Sequence, residues 1–193
     1  MVCSVYDCGN NWIDLFRLSA FLQQKEKCMK AVKVIEDKIY LLPNLLAQLA
    51  SWRVMNKTIA FTNGCFDILH EGHIFSLSQA AQEADYLIVG VNSDNSTRRL
   101  KGPLRPINGE HSRALLLASL VIVDAVVIFE GDTPLELIKS LLPDVIVKGG
   151  DYTMEQIAGS KEVLENGGRV LINPIKEGFS STGILAQIKS SFS

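Results

Sequence analysis

Residues 58–84 read TIAFTNGCFDILHEGHIFSLSQAAQEA, and the rest of the chain is organised around them. Thr58 to Thr62 is a β-branched and aromatic run, Asn63-Gly64 breaks it, and from Glu71 onward the apolar spacing turns helical. The order is strand, tight turn, helix. His70 and His73 fall where the turn enters the helix, among N–H groups that have no intrahelical partner and carry the positive end of the dipole. Such a place binds anions, phosphate above all. Gly64 is expected to admit a ligand close to the backbone, and Gly72 removes a side chain between the two imidazoles. The expectation is a nucleotide-phosphate site at the carboxyl end of the first strand of a parallel sheet.

Four further apolar runs of strand length follow, at residues 86–92, 125–129, 144–148 and 169–173, with helical patterns at 44–54, 112–120, 133–142, 162–166 and 180–192 between and around them. Thr133-Pro134 supplies a cap and a first-turn proline for the third of these helices. The alternation predicts an α/β fold: a Rossmann-like, doubly wound, five-stranded, mostly parallel sheet with helices on both faces. Ligands of such sheets bind beyond the carboxyl ends of the strands, where strand order reverses. The loops after Thr62, Asn92, Phe129, Lys148 and Asn173 all fall there. The segment RRLKGPLRPING, with Arg98, Arg99, Lys101 and Arg105, is the densest positive cluster, and its prolines and glycines read as a loop.

The chain has 193 residues, of which 47% are hydrophobic and 21% charged, and its net charge is -2. This is a globular profile with room for one substantial core. A pI near 5.9 argues against a broad nucleic-acid-binding face, so a phosphorylated ligand must be met by a few local cations and backbone amides. Cys3, Cys8, Cys28 and Cys65 form no CxxC pair, which argues against zinc and disulfides; Cys65 reads as a small buried residue. No run approaches membrane-spanning length, and the expected location is the cytoplasm. Residues 1–28 read as an extension to a domain at 29–193. Either the extension packs on the domain or a partner through Ile13, Leu15, Phe16, Leu18, Phe21 and Leu22, or Met29 is the start that the cell uses. Val32, Val34 and Ile35 form a short β-like run.

The string GCFDILHEGH, residues 64–73, resembles the GxFDxxHxGH signature of the cytidylyltransferase-like nucleotidyltransferases, and Ser180-Ser181-Thr182 resembles their second, hydroxyl-rich signature. FTNGCFDILHEGH, VNSDNSTRRLKGPLRPIN, VKGGDY, IAGSKEV and NGGRV together resemble the D-glycero-β-D-manno-heptose 1-phosphate adenylyltransferases over residues 30–190. In many bacteria that activity is fused to a heptose kinase; no kinase-sized region accompanies it here, so the resemblance implies the stand-alone form. Gly183 departs from relatives that carry a polar or basic residue there.

The resemblance implies transfer of AMP from ATP to a heptose 1-phosphate, with Mg²⁺ or another divalent cation and release of pyrophosphate, by direct in-line attack. It places His70, His73 and Lys101 in the catalytic set. Nucleotide contacts fall to Thr62, Asn63, Gly64, Phe66, Asp67, Asp94, Arg113, Ser181 and Thr182, and Asp67 is the candidate to position the metal, directly or through water. Arg105, Lys148, Gly149 and Asp151 are candidates for the sugar phosphate. A homodimer is implied as well. Two alternatives stand beside this: a cytidylyltransferase acting on glycerol 3-phosphate or a phospho-amino-alcohol, and a non-catalytic nucleotide-binding regulatory module. A zinc-peptidase reading of His70-Glu71-Gly72-His73 fails, because HExxH needs ligands at i and i+4.

Overall fold

The computed structural model describes residues 33–150, 152–174 and 178–192. The candidate Asp151, the extension at 1–28, Val32 and the three N-terminal cysteines lie outside them. Val34 and Ile35, read as β-like, belong instead to a helical turn, Lys33–Glu36.

Six strands form one sheet: β1 (Ile39–Tyr40), β2 (Ile59–Gly64), β3 (Tyr86–Asn92), β4 (Ala125–Phe129), β5 (Val145–Gly149) and β6 (Arg169–Asn173). Their spatial order is β1-β4-β3-β2-β5-β6, and every pairing is parallel. The expected five are all present. The sixth, β1, is two residues long and pairs only with Val126 and Val127 at the sheet edge, too short to leave a pattern.

Among the described residues, and besides the short turns at Lys33–Glu36 and Met154–Gln156, the helices are α1 (Leu42–Val54), α2 (Glu71–Ala81), α3 (Asp94–Lys101), α4 (Glu110–Ala118), α5 (Leu135–Leu141) and α6 (Ser160–Glu165), with α7 (Ser181–Ser191) after β6. Helix α3 corrects the sequence reading, which made 98–109 a loop throughout: Ser93 caps it by accepting from Ser96 N, and Arg98 to Lys101 form its last turn before Gly102 ends it. Helix α5 starts one residue past Pro134, and no side chain caps it, so Thr133 does not serve as the cap.

Alternation along the strands divides the core. Ile59, Phe61, Ile88 and Ile146 pack with Leu45, Leu49 and Trp52 of α1, Leu137, Ile138 and Leu141 of α5, and Val163 of α6. Ala60, Leu87, Val89 and Val91 pack with Leu77 and Ala80 of α2 and Ala114 and Leu117 of α4. Burial on both faces explains why the strands read as unbroken apolar runs. At the amino ends of β2 and β3, carboxylates set the register: Asp144 accepts from Ile59 N at 2.8 Å, Asp85 from Thr58 N at 2.9 Å, and Asp124 from Leu87 N at 2.8 Å.

From β2 the chain moves out through β3 to β4, then returns to the other side of β2 as β5. The reversal therefore lies between β2 and β5, and loops carrying His70 and Lys148 meet at their carboxyl ends. Among the described residues, no helix is long and apolar enough to cross a membrane.

Phe61 and Gly90 are central to this arrangement, because a Cβ on Gly90 would stand 2.9 Å from Phe61 Cζ. Gly90→Ala is expected to destabilise the fold by about 1–3 kcal/mol through overpacking, read as a lowered urea midpoint at unchanged slope; an unchanged midpoint would show that the ring can move aside.

Candidate functional site

A cleft of about 640 Å³ opens over the carboxyl ends of β2 and β5. It is bordered by Thr62, Asn63, Gly64, Phe66 and Asp67 from β2 and its loop, His70 and His73 from the start of α2, Lys101 and Arg105, Lys148 and Gly149 from β5, and Ser181 and Thr182 from α7. Residues from opposite ends of the chain thus share one cavity.

The two helix tips are tied together. Ser181 Oγ donates to Ile68 O at 3.2 Å, which fastens the start of α7 to the turn before α2. Ser180 caps α7 by accepting from Gly183 N at 2.9 Å, and a Cβ on residue 183 would stand 3.0 Å from that Oγ. The glycine that departs from the family pattern therefore keeps the cap intact. Of the three hydroxyls, one caps and one tethers, which leaves Thr182 and the first-turn N–H groups to meet a ligand.

His70 and His73 stack with ring centroids 3.8 Å apart and an interplanar angle of 25°. Gly72 makes this possible, since a Cβ there would stand 3.1 Å from both His70 Nδ1 and Phe179 Cβ. Gly64 plays a part different from the expected one. Phe66, in the left-handed region at φ 48°, lays its ring where a Gly64 side chain would be, with 3.1 Å to the nearest ring atom. The ring, in turn, packs on His73 at 5.2 Å between centroids. Strain at Phe66 is thus spent on orienting an imidazole.

Both Nδ1 atoms are buried and make no hydrogen bond to a described residue. Burial, and then the neighbouring His70, pushes the His73 pKa down to about 4; burial also lowers that of His70. Near neutral pH the pair is uncharged, so each ring carries one N–H donor and one acceptor nitrogen. The fixed charge comes from lysines. Lys148 Nζ donates to Asn63 Oδ1 at 3.1 Å and Asn63 O at 3.3 Å and lies 5.7 Å from the Tyr152 ring centre. Its pKa is lowered chiefly by burial and further by Lys101, so the two ammonium groups repel across a common space. An anion between them relieves that repulsion.

Asp67 is a clamp. Its carboxylate accepts from Arg105 Nε, from Ile107 N at 2.7 Å and from Asn108 N at 3.0 Å, while its carbonyl accepts from Asn108 Nδ2 at 2.7 Å. Those donors occupy the oxygens that metal binding would need, and no group of three His, Cys, Asp or Glu among the described residues can hold an ion. The residues present do not fit a protein-held metal, and the proposed metal role of Asp67 is corrected accordingly.

Asp94 and Arg113 do not border the cleft. Arg113 is fully buried and donates to Asn108 O at 2.9 Å, Cys65 O at 2.6 Å and Asp94 Oδ1 at 2.8 Å, bracing the two cleft loops from behind. The basic cluster also separates by direction, because it lies on a helix. Arg98 turns to Asn95, Arg99 to Asp132 and Glu130, and only Lys101 and Arg105 reach the cleft. Cys65 is half-buried and borders the cleft, with Sγ 3.9 Å from Asn92 Oδ1, since the turn after β2 leaves it at the sheet's edge. Asn92, Asp132 and Phe179 were missed as site residues. Asn92 and Asp132 lie at the ends of strands that the crevice rule already singled out.

The histidines make stability pH-dependent. Unfolded, each imidazole gains a proton near pH ~6.5; folded, His73 resists protonation until about pH 4. The unfolded chain binds more protons in that window, so stability is full above it and falls as pH drops through it. Urea titrations from pH ~7.5 down to ~5 are expected to show the loss, and His73→Asn to flatten it; stability that rises on acidification would contradict the burial argument.

Comparison with known proteins adds the family. Residues 61–187 match the family model described as cytidylyltransferase-like. The bifunctional protein HldE of Hyphomonas neptunium is 54% identical over 143 residues, which are 74% of this chain and 29% of the relative. HldE of Koribacter versatilis is 51% identical over 156 residues, 81% of this chain and 32% of the relative. The chain spans under a third of the length of these curated relatives. Its structure is also similar to the crystal structure of the lipopolysaccharide core biosynthesis protein from Thermoplasma volcanium GSS1, with a TM-score of 0.51, 30% identity, and coverage of 62% of this chain and 97% of that one. The matched region begins in β2 and runs into α7, taking in both tethered helix tips, and the chain belongs to the cytidylyltransferase-like family.

Proposed function

We propose that the chain is an adenylyltransferase that joins AMP from ATP to D-glycero-β-D-manno-heptose 1-phosphate, giving ADP-heptose and pyrophosphate. The observation that carries it is the convergence of two helix N-termini, one with stacked neutral imidazoles and one with hydroxyls, on a cleft flanked by Lys101 and Lys148. The similarity to HldE and to a lipopolysaccharide core biosynthesis protein supports the choice of sugar.

An oxygen of the sugar phosphate attacks the α-phosphorus, and the bond from that phosphorus to the bridging oxygen of pyrophosphate breaks. The attacking monoester is largely dianionic at neutral pH, its second pKa being ~6, so no general base is needed. The protein must instead align two anions and stabilise charge as it moves to the leaving group. In this reading His70 and His73 donate N–H to the triphosphate while Thr182 and the α7 tip receive the β- and γ-phosphates. Lys101 and Lys148 hold the point where the two anions meet, with Arg105 and Gly149 beside them. Mg²⁺, or another divalent cation, accompanies ATP on its phosphate oxygens. The homodimer and cytoplasmic location that the family resemblance implies stand with this proposal.

Purified protein with Mg²⁺, ATP and the heptose 1-phosphate is expected to release pyrophosphate; faster release from CTP with glycerol 3-phosphate would favour the cytidylyltransferase alternative. His70→Ala and His73→Ala are each expected to lower kcat by roughly 10²–10³, the scale of losing one preorganised donor. A raised KM at unchanged kcat would assign the imidazoles to binding alone.

A further inference from the structure

The cleft has two ends of opposite character. Toward β5 and β6 its wall is Ile146, Tyr152, Ile157, Ala158 and Pro174, largely apolar with one aromatic ring. Toward β3 and β4 it is Asn92, Asp132 and Thr133, beyond Lys101 and Arg105. The helix tips lie between, and Lys148 of β5 stands over the Tyr152 ring, with Gln156 the polar residue on that side.

Asp132 is an unusual residue for an anion site. Among the described residues, the other carboxylate bordering the cleft is Asp67, which is paired with Arg105 and two backbone N–H groups. Asp132 Oδ1 accepts from Arg99 Nε at 2.7 Å, while Oδ2 has no hydrogen-bond partner among the described residues, and the side chain is half exposed. Paired with Arg99 through one oxygen, the carboxylate keeps the other to accept from hydroxyls. The turn that carries it is firmly held. Gly131 O accepts from Ser96 Oγ at 2.9 Å and from Asn92 Nδ2 at 3.4 Å, and Arg99 Nη2 donates to Glu130 O at 2.7 Å. Buried Asn92 and Ser96 thus anchor the surface turn beside Asp132, and such preorganisation is what a recognition contact requires.

We infer that Asp132 recognises the acceptor, accepting hydrogen bonds from the hydroxyls of a phosphorylated polyol whose phosphate lies between Lys101 and Lys148. This rests on the nucleotidyl-transfer reading above. In-line transfer sets the attacking oxygen of the acceptor and the leaving pyrophosphate on opposite sides of the α-phosphorus, with the nucleoside branching from it to one side. The apolar, aromatic end suits a flat base. The hydroxyl-bearing skeleton then extends over β3 and β4, to Asp132 with Thr133 beside it.

The test measures KM for ATP and for the heptose 1-phosphate in the full chain, in Asp132→Ala and in the milder Asp132→Asn, with singly deoxygenated acceptors as a second series. Asp132→Ala is expected to raise acceptor KM about 10- to 100-fold, the loss of a hydrogen bond to a charged group, with ATP KM held within about twofold. One deoxy acceptor is expected to weaken the wild type by a similar factor and Asp132→Ala not at all. A wild type that turns over while Asp132→Ala leaves acceptor KM unchanged, or raises both KM values together, overturns the inference alone. A wild type silent with every sugar 1-phosphate overturns the transfer reading and the inference with it.

Discussion

Asp67 is 2% exposed at the base of the cleft, and three donors from one loop converge on its carboxylate. An isolated buried charge costs several kcal/mol, whereas one that meets a guanidinium and two backbone N–H groups is stable and directional. Here the bond network spans about forty residues of sequence, from the turn after β2 to the loop after α3, and sets where Arg105 sits and how Lys101 approaches. Arg113 fastens the same two segments from the opposite side, through Cys65 O and Asn108 O. The pair of buried ions is therefore scaffolding for the cleft, and the groups that line it inherit their geometry from them.

The cleft collects anion-binding power without a large positive field, as a chain of net charge -2 requires. Two imidazoles stacked at 3.8 Å repel one another if both are charged, and burial lowers their affinity for protons further. In the proposed reaction their worth would lie in fixed N–H direction, which needs no reorganisation where charge develops. Helix tips contribute in the same manner. Two lysines, Lys101 and Lys148, border the cleft, and burial, with a smaller contribution from Lys101, lowers the pKa of Lys148.

Interior strands were legible because burial on both faces leaves an unbroken apolar run, as in Tyr86–Asn92. Edge strand β1 was not, since two residues acquire strand character only from their pairing with β4. The last turn of α3 was hidden by the prolines and glycines just after it, although the Ser93 cap marks its start. His70, His73, Ser181 and Thr182, which border the cleft, stood out through local pattern. The bonds that Asp67, Asp94 and Arg113 make to one another's loops were not legible, because residue type announces a charge and says nothing about the direction in which it is used. Asp132 was not singled out, since it lies in the turn just before the helical pattern at 133–142.

By itself the sequence determined the strand-turn-helix unit at residues 58–84, the alternation of strands and helices, and the hydroxyl cap at the last helix, all of which follow from forces acting over a few neighbouring residues. The strand order was decided by the tertiary structure alone, as was the meeting of α2 with α7, the assignment of Asp67 to loop clamping, and the division of the cleft into an apolar and a polar end. These depend on which faces of the sheet each crossover helix must cover and on buried charges finding partners far away in the chain, and no local propensity carries that information.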